Sequence, residues 1–326
     1  MKEFTVTEEQ AGMRIDRYLR QIAGLMSQGI IEKALRGGQI RVDSQKVKSA
    51  YRVEARQIVA IAPYFLEQAE KKPKPDSSEA KKTAIDASFA ARQIDKMTLV
   101  QTPLWRVLNK PSGLAVQGGT GMLKHIDGFL CSGFPSRDYK LVHRIDKDTS
   151  GLLLIAEGAQ SARNLTAGFK EHRIKKYYMA IVVGKPPASG VISASLQKSG
   201  GKGFEKMVVD EESGQKAVTD FICLDSAGIV SLVGFSPRTG RTHQLRAHAA
   251  HIGTPILGDG KYGGAAAHIG GFDKKLHLHA WGLKLPEGRE IFAPLPKHFA
   301  QSVKFAGLTL PGAKDFPAFG FQGIER

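Results

Sequence analysis

The segment that most constrains the fold is a polar turn that leads directly into a short apolar run. The turn has the sequence His143-Arg144-Ile145-Asp146-Lys147-Asp148-Thr149-Ser150-Gly151, and residues 152–156 after it are all apolar. An apolar run of this length after a glycine turn is typical of a strand buried in a sheet. One carboxylate, Asp146, therefore lies beside polar neighbours at the mouth of a buried strand, where enzymes commonly hold catalytic side chains. An isolated Arg–Asp pair more often caps a turn, so other segments are needed to choose between these interpretations.

From residue 98 onward, the pattern predicts strands that alternate with glycine turns and with few helices. Strands and hairpins are indicated by the apolar and β-branched segments at 107–117, 174–184, 218–224 and 229–235, and a helix is indicated at 162–170. We therefore expect an α+β protein whose large domain is a mixed, mainly antiparallel sheet with flanking helices.

A charged segment divides the chain. Residues 71–82 contain lysines, prolines and acidic residues but almost no large apolar side chain, so they cannot offset the entropy lost on ordering. We predict a small domain at 1–63, a flexible charged linker at 64–97 and the large domain at 98–326. The spacing of Ile85, Phe89 and Ile94 predicts a short helix near the end of that linker.

The small N-terminal segment is strongly basic. Apolar spacing predicts one helix around residues 15–26 and a second that stops at Gly37-Gly38. Short strands are predicted after it at residues 40–43, near Val47, at residues 51–53 and at residues 58–61. Residues 13–56 contain ten Lys or Arg and four Asp or Glu, and the whole chain has a net charge of +16. Basic residues at helical spacing are often only a solvated face. In so basic a chain they favour a surface that contacts nucleic-acid phosphates, with the candidates Arg14, Arg17, Lys33, Arg36 and Arg41.

Several other classes of protein are disfavoured. No stretch approaches the roughly 20 apolar residues of a membrane helix, and the N-terminus lacks the apolar core of a secretory signal. Cys131 and Cys223 are the only cysteines and lie far apart, which fits a reducing cytoplasm and argues against a disulfide framework or thiolate metal site. His277 and His279 alternate as a strand would, and packing or hydrogen bonding is a better interpretation of them than a metal site.

A second polar cluster follows at residues 237–248. A helix from Thr242 onward would place His243 and Arg246 near one face, with Thr242 as its N-cap. Read alone, this could be a basic surface helix. Considered together with the Asp146 turn, it is better interpreted as part of the same site, because a buried carboxylate needs a nearby cation to stay ionised.

Two family resemblances link these segments. Residues 12–19, 30–43 and 48–53 resemble the S4 RNA-binding module, which implies binding to structured RNA. The ordered motifs resemble the RluA family of RNA pseudouridine synthases: Asn109-Lys110-Pro111-Ser112-Gly113, His143 to Gly151, Lys176 with Tyr178, Arg241 to Arg246, and Gly253 to Asp259. Within that family, residues 113–121 most resemble the branch that acts on 23S rRNA.

The resemblance implies an enzyme that isomerises uridine to pseudouridine without cofactor or metal. It implies Asp146 as the nucleophile, at either ribose C1′ or uracil C6, with Arg241 as its preferred ion-pair partner and Arg246 as the less favoured one. Tyr178 would stack on the uracil or help remove the C5 proton. Arg144 would fill the space left by the flipped base, His143 would support the turn more than act as acid or base, and Lys176 would contact phosphate or the Asp146 loop.

The expected partner is 23S rRNA, either free or in a preribosomal particle, and the expected state is a cytoplasmic monomer. The main alternative is a non-catalytic S4-type ribosome-binding factor, which would have no need for Asp146, Tyr178 or Arg241. A base-excising glycosidase is a further alternative, with Asp148 as the only nearby second carboxylate.

Overall fold

The chain divides into two units, Met1–Thr83 and Ala84–Arg326. The computed structural model describes residues 1–23, 28–66, 85–118, 124–201 and 206–311. Each unit has its own buried apolar core. The middle of the predicted linker, residues 67–84, lies outside the described residues.

The first unit packs two helices against a small antiparallel sheet. Its elements are β1 Lys2–Thr5, α1 Ile15–Ala23, α2 Gln28–Gly37, β2 Ile40–Val42 and β3 Ile58–Ile61. The sheet order is β1-β3-β2, and the core comes from the predicted apolar faces, including Ile15 and Leu19 of α1 and Ile31 of α2. The helix stop at Gly37-Gly38 is confirmed. The strands predicted near Val47 and at residues 51–53 are wrong, since that stretch contributes only an isolated bridge from Arg52 to Arg14.

The predicted linker is too long at its C-terminal end. The helix expected from the spacing of Ile85, Phe89 and Ile94 is present as α3, Ala87–Met97, capped by the Asp86 carboxylate, which accepts from the backbone N–H of Phe89 at 2.7 Å. Its buried residues belong to the core of the second unit. Residues 87–97 are therefore part of the large domain, because burial of one apolar face stabilises a helix that a linker could not maintain.

The second unit is built on one large mixed sheet. Its strands are β4 Thr98–Gln101, β5 Trp105–Lys110, β6 Tyr139–Leu141, β7 Ser150–Glu157, β8 Lys175–Val183, β9 Ser189–Ser193, β10 Leu196–Ser199, β11 Lys206–Val209, β12 Val218–Ala227, β13 Val230–Pro237, β14 Leu278–Lys284 and β15 Glu290–Phe292. The order is β4-β5-β7-β14-β8-β13-β12-β9, with β15 beside β14 and β6 beside β7, while β10 and β11 form a separate hairpin. Among the described strands, the β7–β14 pair is parallel and the other pairs are antiparallel. The expected mixed, mainly antiparallel sheet is confirmed.

Helices cover both faces of this sheet. The remaining helices are α4 Ile126–Gly133, α5 Ala159–Lys170, α6 Gln244–His251 and α7 Lys297–Ala306. Successive residues of a strand point to opposite faces, so Tyr178 and Ala180 pack with residues of α3, α4 and α6, whereas Met179 and Ile181 pack with α7. In the part of the chain that the structure describes, no helix has the length and apolar character needed to cross a bilayer.

Two histidines of the β14 region pack inside the second unit, as the sequence predicts. His277 Nε2 lies 2.8 Å from Ser302 Oγ, and His279 Nδ1 lies 2.8 Å from Ser150 Oγ. Both rings contact the Phe299 ring. Burial lowers the pKa of each histidine to about 4, so both are neutral at physiological pH.

Candidate active site

The Asp146 loop joins β6 to β7 and enters the sheet at its centre. Gly151, the second residue of β7, has a φ of +106°, and a Cβ there would overlap the carbonyl oxygen of Ala280 on β14. Only glycine allows the two strands to approach this closely. The Thr-Ser-Gly sequence therefore fixes the point at which the polar turn meets the buried strand.

A buried lysine fastens this loop. The Lys110 side chain has no exposed surface, and its Nζ donates to the carbonyl oxygens of Pro111 at 2.9 Å, Leu114 at 2.7 Å and Lys147 at 2.9 Å. Ser112 Oγ adds a hydrogen bond to the carbonyl oxygen of Asp148 at 2.8 Å. Burial lowers the pKa of Lys110 to about 7, although the charges of Asp148 and Asp146 oppose that shift. The Asn-Lys-Pro-Ser-Gly turn thus holds the backbone of Lys147 and Asp148, the two residues that follow Asp146.

Asp146 and Tyr178 line one pocket, a cavity of about 90 Å³. The Asp146 side chain keeps 19% of its surface exposed, while Tyr178 on β8 is almost entirely buried. Burial and the negative charge of Asp146 both raise the pKa of the Tyr178 phenol. The phenol therefore stays protonated, which suits a stacking surface better than a base.

His243 brings a ring nitrogen to the Asp146 carboxylate. It precedes α6 with a left-handed φ of 51°, and its Nε2 lies 4.0 Å from Asp146 Oδ2. Its Nδ1 lies 2.9 Å from the Tyr262 hydroxyl, which already accepts the backbone N–H of Met207 at 2.9 Å. The phenol has one proton to donate, and its donation to Nδ1 corresponds to the tautomer that carries the imidazole proton on Nε2, facing the carboxylate. Burial lowers the pKa of His243 although Asp146 opposes this, so the ring is a neutral N–H donor.

Arg246 is the buried guanidinium of the pocket. Its Nε and Nη2 donate to the two carboxylate oxygens of Asp259 at 2.8 and 2.7 Å, and it lies over the Tyr262 ring at 5.1 Å. Burial acts to lower the pKa of Arg246, but the hydrogen bonds and charge of Asp259, together with the charge of Asp146, raise it. Arg246 therefore stays charged although it is partly desolvated, and it lines the same pocket as Asp146.

The predicted ion pair between Arg241 and Asp146 is not present among the described residues. Arg241 lines the pocket but is exposed, and its Nε donates to the carbonyl oxygen of Lys216 at 3.2 Å. The physical reason is the helix start: α6 begins at Gln244 rather than at Thr242, so Arg241 lies in the preceding loop. Within the short motif, the inward-facing guanidinium is that of Arg246.

His143 and Lys176 lie together behind the loop. His143 Nε2 accepts the backbone N–H of Leu154 at 2.8 Å, and burial, with the charge of Lys176, lowers its pKa to about 3. This arrangement supports the turn and leaves the imidazole poorly suited to acid–base work. Burial lowers the pKa of Lys176 to about 8, and its side chain lines the pocket beside that of Arg144, which is exposed.

The basic residues predicted to contact RNA in the first unit lie on its surface. Arg17, Lys33 and Arg36 are exposed. Arg14 pairs with Asp16 at 2.8 Å, and Arg41 donates to the carbonyl oxygens of Gly38 and Ser44.

The sequence interpretation named the motifs of Lys110, His243 and Asp259 but gave none of these residues a place in the site, and it did not single out Tyr262. The sequence did carry a signal for three of them, because Lys110 lies in the Asn-Lys-Pro-Ser-Gly turn, and Asp259 and Tyr262 lie in one glycine-rich loop.

No group of three or more His, Cys, Asp or Glu side chains in the described ranges is arranged to hold a metal.

Comparison with known proteins identifies the family. Residues 105–251 match the family model described as RNA pseudouridylate synthase. The chain is 34% identical over 308 residues to the ribosomal large subunit pseudouridine synthase C of Vibrio cholerae, covering 91% of this chain and 94% of that protein. The chain belongs to the RNA pseudouridylate synthase family. It is 38% identical over 299 residues to the synthase C of Rickettsia conorii, covering 88% of this chain and 95% of that protein.

A solved structure agrees with this assignment. Human RNA pseudouridylate synthase domain containing 4 superposes with a TM-score of 0.58 at 29% identity, covering 69% of this chain and 98% of that one. The resemblance drawn from the motifs is confirmed, and the protein is an enzyme that isomerises uridine in RNA. The non-catalytic alternative is not favoured.

Proposed function

We propose that this pseudouridine synthase isomerises specific uridines of large-subunit ribosomal RNA, with Asp146 as its nucleophile. The observation that carries the proposal is the convergence on one pocket of the Asp146 carboxylate, the Tyr178 ring, the Arg246 guanidinium and the His243 N–H. The large-subunit substrate is supported by the relatives in Vibrio cholerae and Rickettsia conorii, which bear that substrate in their names.

The reaction needs one carboxylate and no redox change. The N1–C1′ bond of uridine breaks, a C5–C1′ bond forms, and the proton that leaves C5 is balanced by one gained at N1. Asp146 attacks either ribose C1′ or uracil C6, forms a covalent bond with the nucleotide and is released when the C5–C1′ bond is complete. Arg246 keeps the surroundings of the carboxylate positive, and the His243 N–H directs a dipole at the same oxygen atom.

The other residues of the pocket would hold the flipped nucleotide. Removing a base from its stack costs a few kcal/mol, which is least for an unpaired base. The exposed Arg144, two residues before Asp146 in the loop, would fill the vacated space. Tyr178 would stack on the uracil, and Lys176 and Arg241 would contact its phosphates.

The basic first unit would bind the same RNA away from the reacting uridine. We infer an S4-like RNA-binding domain at residues 1–63, with the surface residues Arg14, Arg17, Lys33, Arg36 and Arg41 as phosphate contacts. Deleting residues 1–63 should weaken binding to large rRNA fragments while the pocket, which is built wholly from the second unit, still turns over short RNA. Unchanged affinity for full-length rRNA would contradict this role.

We also infer a monomer that works in the cytoplasm on free rRNA or on a preribosomal particle. The reducing compartment is supported by Cys131 and Cys223, which are both free thiols.

The test is carbodiimide-based mapping of pseudouridine in rRNA from cells with and without the gene. Loss of one or more large-subunit pseudouridines is the expected result, and an unchanged map would contradict the substrate assignment. Mass spectrometry of the RNA product distinguishes the glycosidase alternative, because isomerisation leaves the mass unchanged whereas base excision lowers it.

A further inference from the structure

A second, larger cleft opens beside the catalytic pocket. It is a cavity of about 890 Å³, within the range of about 300 to 1,000 Å³ usual for small-molecule sites. Its walls are the turn after α5, the start of β8, the end of β13 and the loop at 238–241. Arg144, Lys176 and Arg241 line both cavities, so the two spaces share one wall.

The rim of this second cleft carries positive charge that the protein does not neutralise. Among the described residues, five lining cations have no carboxylate partner: Arg144, Lys170, Lys175, Lys176 and Arg241. The one acidic residue in the lining, Glu171, pairs with Arg173 at 2.8 Å. Arg238, also in the lining, pairs with Asp220. Such a rim is complementary to two or more phosphates.

The inner wall of the cleft is aromatic and uncharged. The His143 and Phe169 rings lie 4.5 Å apart between centroids, tilted by 39°, and both line the cavity. Phe169 is half-buried at the end of α5, and the Lys176 ammonium lies 6.0 Å from its ring centroid. An aromatic surface beneath unpaired cations is the combination that binds single-stranded nucleotides, where a base stacks and its phosphate meets a cation.

We propose that the second cleft is a subsite for an unpaired nucleotide directly next to the target uridine, with its base against Phe169 and its phosphates on the cationic rim. This rests on the proposed function of the catalytic pocket. A double-stranded arm of the RNA would present phosphates to the rim but would leave the aromatic wall without a partner. The subsite therefore selects targets in loops, because the neighbouring nucleotide must leave its stack together with the uridine.

The test is a thermodynamic cycle between the RNA and the protein. The probe is a stem-loop of large-subunit rRNA around a uridine that the wild-type enzyme converts, with an abasic nucleotide placed immediately before or after that uridine. At one of the two positions, removal of the base should lower kcat/KM by about fivefold to tenfold. Phe169→Leu should lower kcat/KM on the intact RNA by a similar factor, and the two changes together should lower it no further.

Phe305→Leu is the matched control, since Phe305 is an exposed phenylalanine near the end of α7 and outside the cleft. With this variant the abasic effect should persist in full. The proposal would be overturned if the losses in kcat/KM caused by Phe169→Leu and by base removal multiplied. It would also be overturned if an abasic nucleotide left kcat/KM unchanged at both positions, before and after the uridine. If wild-type enzyme converts no uridine of the rRNA, the proposed function itself fails, which is a separate and earlier result.

A second measurement does not depend on Phe169, whose replacement can disturb packing. Lys170 and Lys304 are exposed lysines in the last turns of α5 and α7, and only Lys170 lines the cleft. In Lys170→Ala, the negative slope of log affinity against log salt should become shallower by about 0.7, the value for one phosphate contact on a single strand. Lys304→Ala should keep the wild-type slope. Equal slopes in the two variants would overturn the proposal.

Discussion

Replacing Lys110 by methionine should loosen the catalytic loop. Met replaces the apolar stem of the side chain with one of similar length but removes the ammonium that donates to three carbonyl oxygens. The carbonyl oxygen of Lys147 keeps a second donor, the Gly113 N–H at 2.9 Å, so the loss falls mainly on Pro111 and Leu114. Each buried acceptor left without a donor costs about 1 to 3 kcal/mol.

The ammonium is itself costly to bury, as its lowered pKa shows, and removing it offsets part of this loss. We therefore expect Lys110→Met to lower the free energy of unfolding by about 2 kcal/mol at pH 7. Since the variant releases the backbone beside Asp146, kcat should fall by about tenfold or more, with little change in RNA affinity.

The pH dependence gives a second readout for the same variant. The pKa of Lys110 is about 7 in the folded state and near its ordinary value of 10.5 in the unfolded state. The unfolded wild type thus binds more protons between these values, so raising the pH from 7 towards 10 should stabilise wild type relative to Lys110→Met. Urea unfolding across this range measures the difference, with Lys147→Met, an exposed lysine of the same loop, as control. If Lys110→Met were as stable as wild type, or if the difference in their free energies of unfolding did not change with pH, the reasoning would be refuted.

Three further predictions concern the guanidinium, the imidazole and the buried histidines. Arg246→Lys should lower kcat by about a hundredfold, because lysine cannot make the paired hydrogen bonds, whereas Arg241→Lys should cost about tenfold or less. Equal losses in single-turnover assays would contradict the order. His243→Gln, which keeps an N–H near the Nε2 position, should retain more activity than His243→Asn, and the reverse ranking of kcat would show that the imidazole does not act through that nitrogen. Because the pKa values of His277 and His279 are lowered to about 4, the unfolded state binds more protons as the pH falls from about 6.5 towards 4. The free energy of unfolding should therefore drop across that window, and it should drop less in a His277→Gln, His279→Gln double variant. A double variant whose free energy of unfolding changes with pH as that of wild type does would refute this.

The sequence predicts the parts of the site that depend on local pattern. The apolar run after Gly151 identifies a buried strand, and the motif around Tyr178 lies on a recognisable strand. That Asp146 and Tyr178 share one site was implied by the family resemblance and not by these local patterns. The linker was overextended because residues 87–97 have only loose helical spacing, and their burial depends on α4, which lies about thirty residues further on.

Long-range pairing accounts for what the sequence did not predict. Arg241 and Arg246 lie in one short motif, and the choice between them depends on where α6 begins and on Asp259 in another loop. The three acceptors of Lys110 likewise come from two loops that are distant along the chain. Neither residue type nor spacing reports such contacts, because they arise only when the sheet brings those loops together.

The most direct test compares Asp146→Asn with Asp148→Asn, two isosteric changes two residues apart in one loop. In a tritium-release assay on substrate RNA, Asp146→Asn should fall below about a tenth of wild-type turnover and Asp148→Asn should stay within about threefold. Both variants should bind RNA within about tenfold of wild type, since phosphate contacts dominate affinity. Turnover by Asp146→Asn above that level, or equal loss in both variants, would contradict the assignment of Asp146 as the nucleophile.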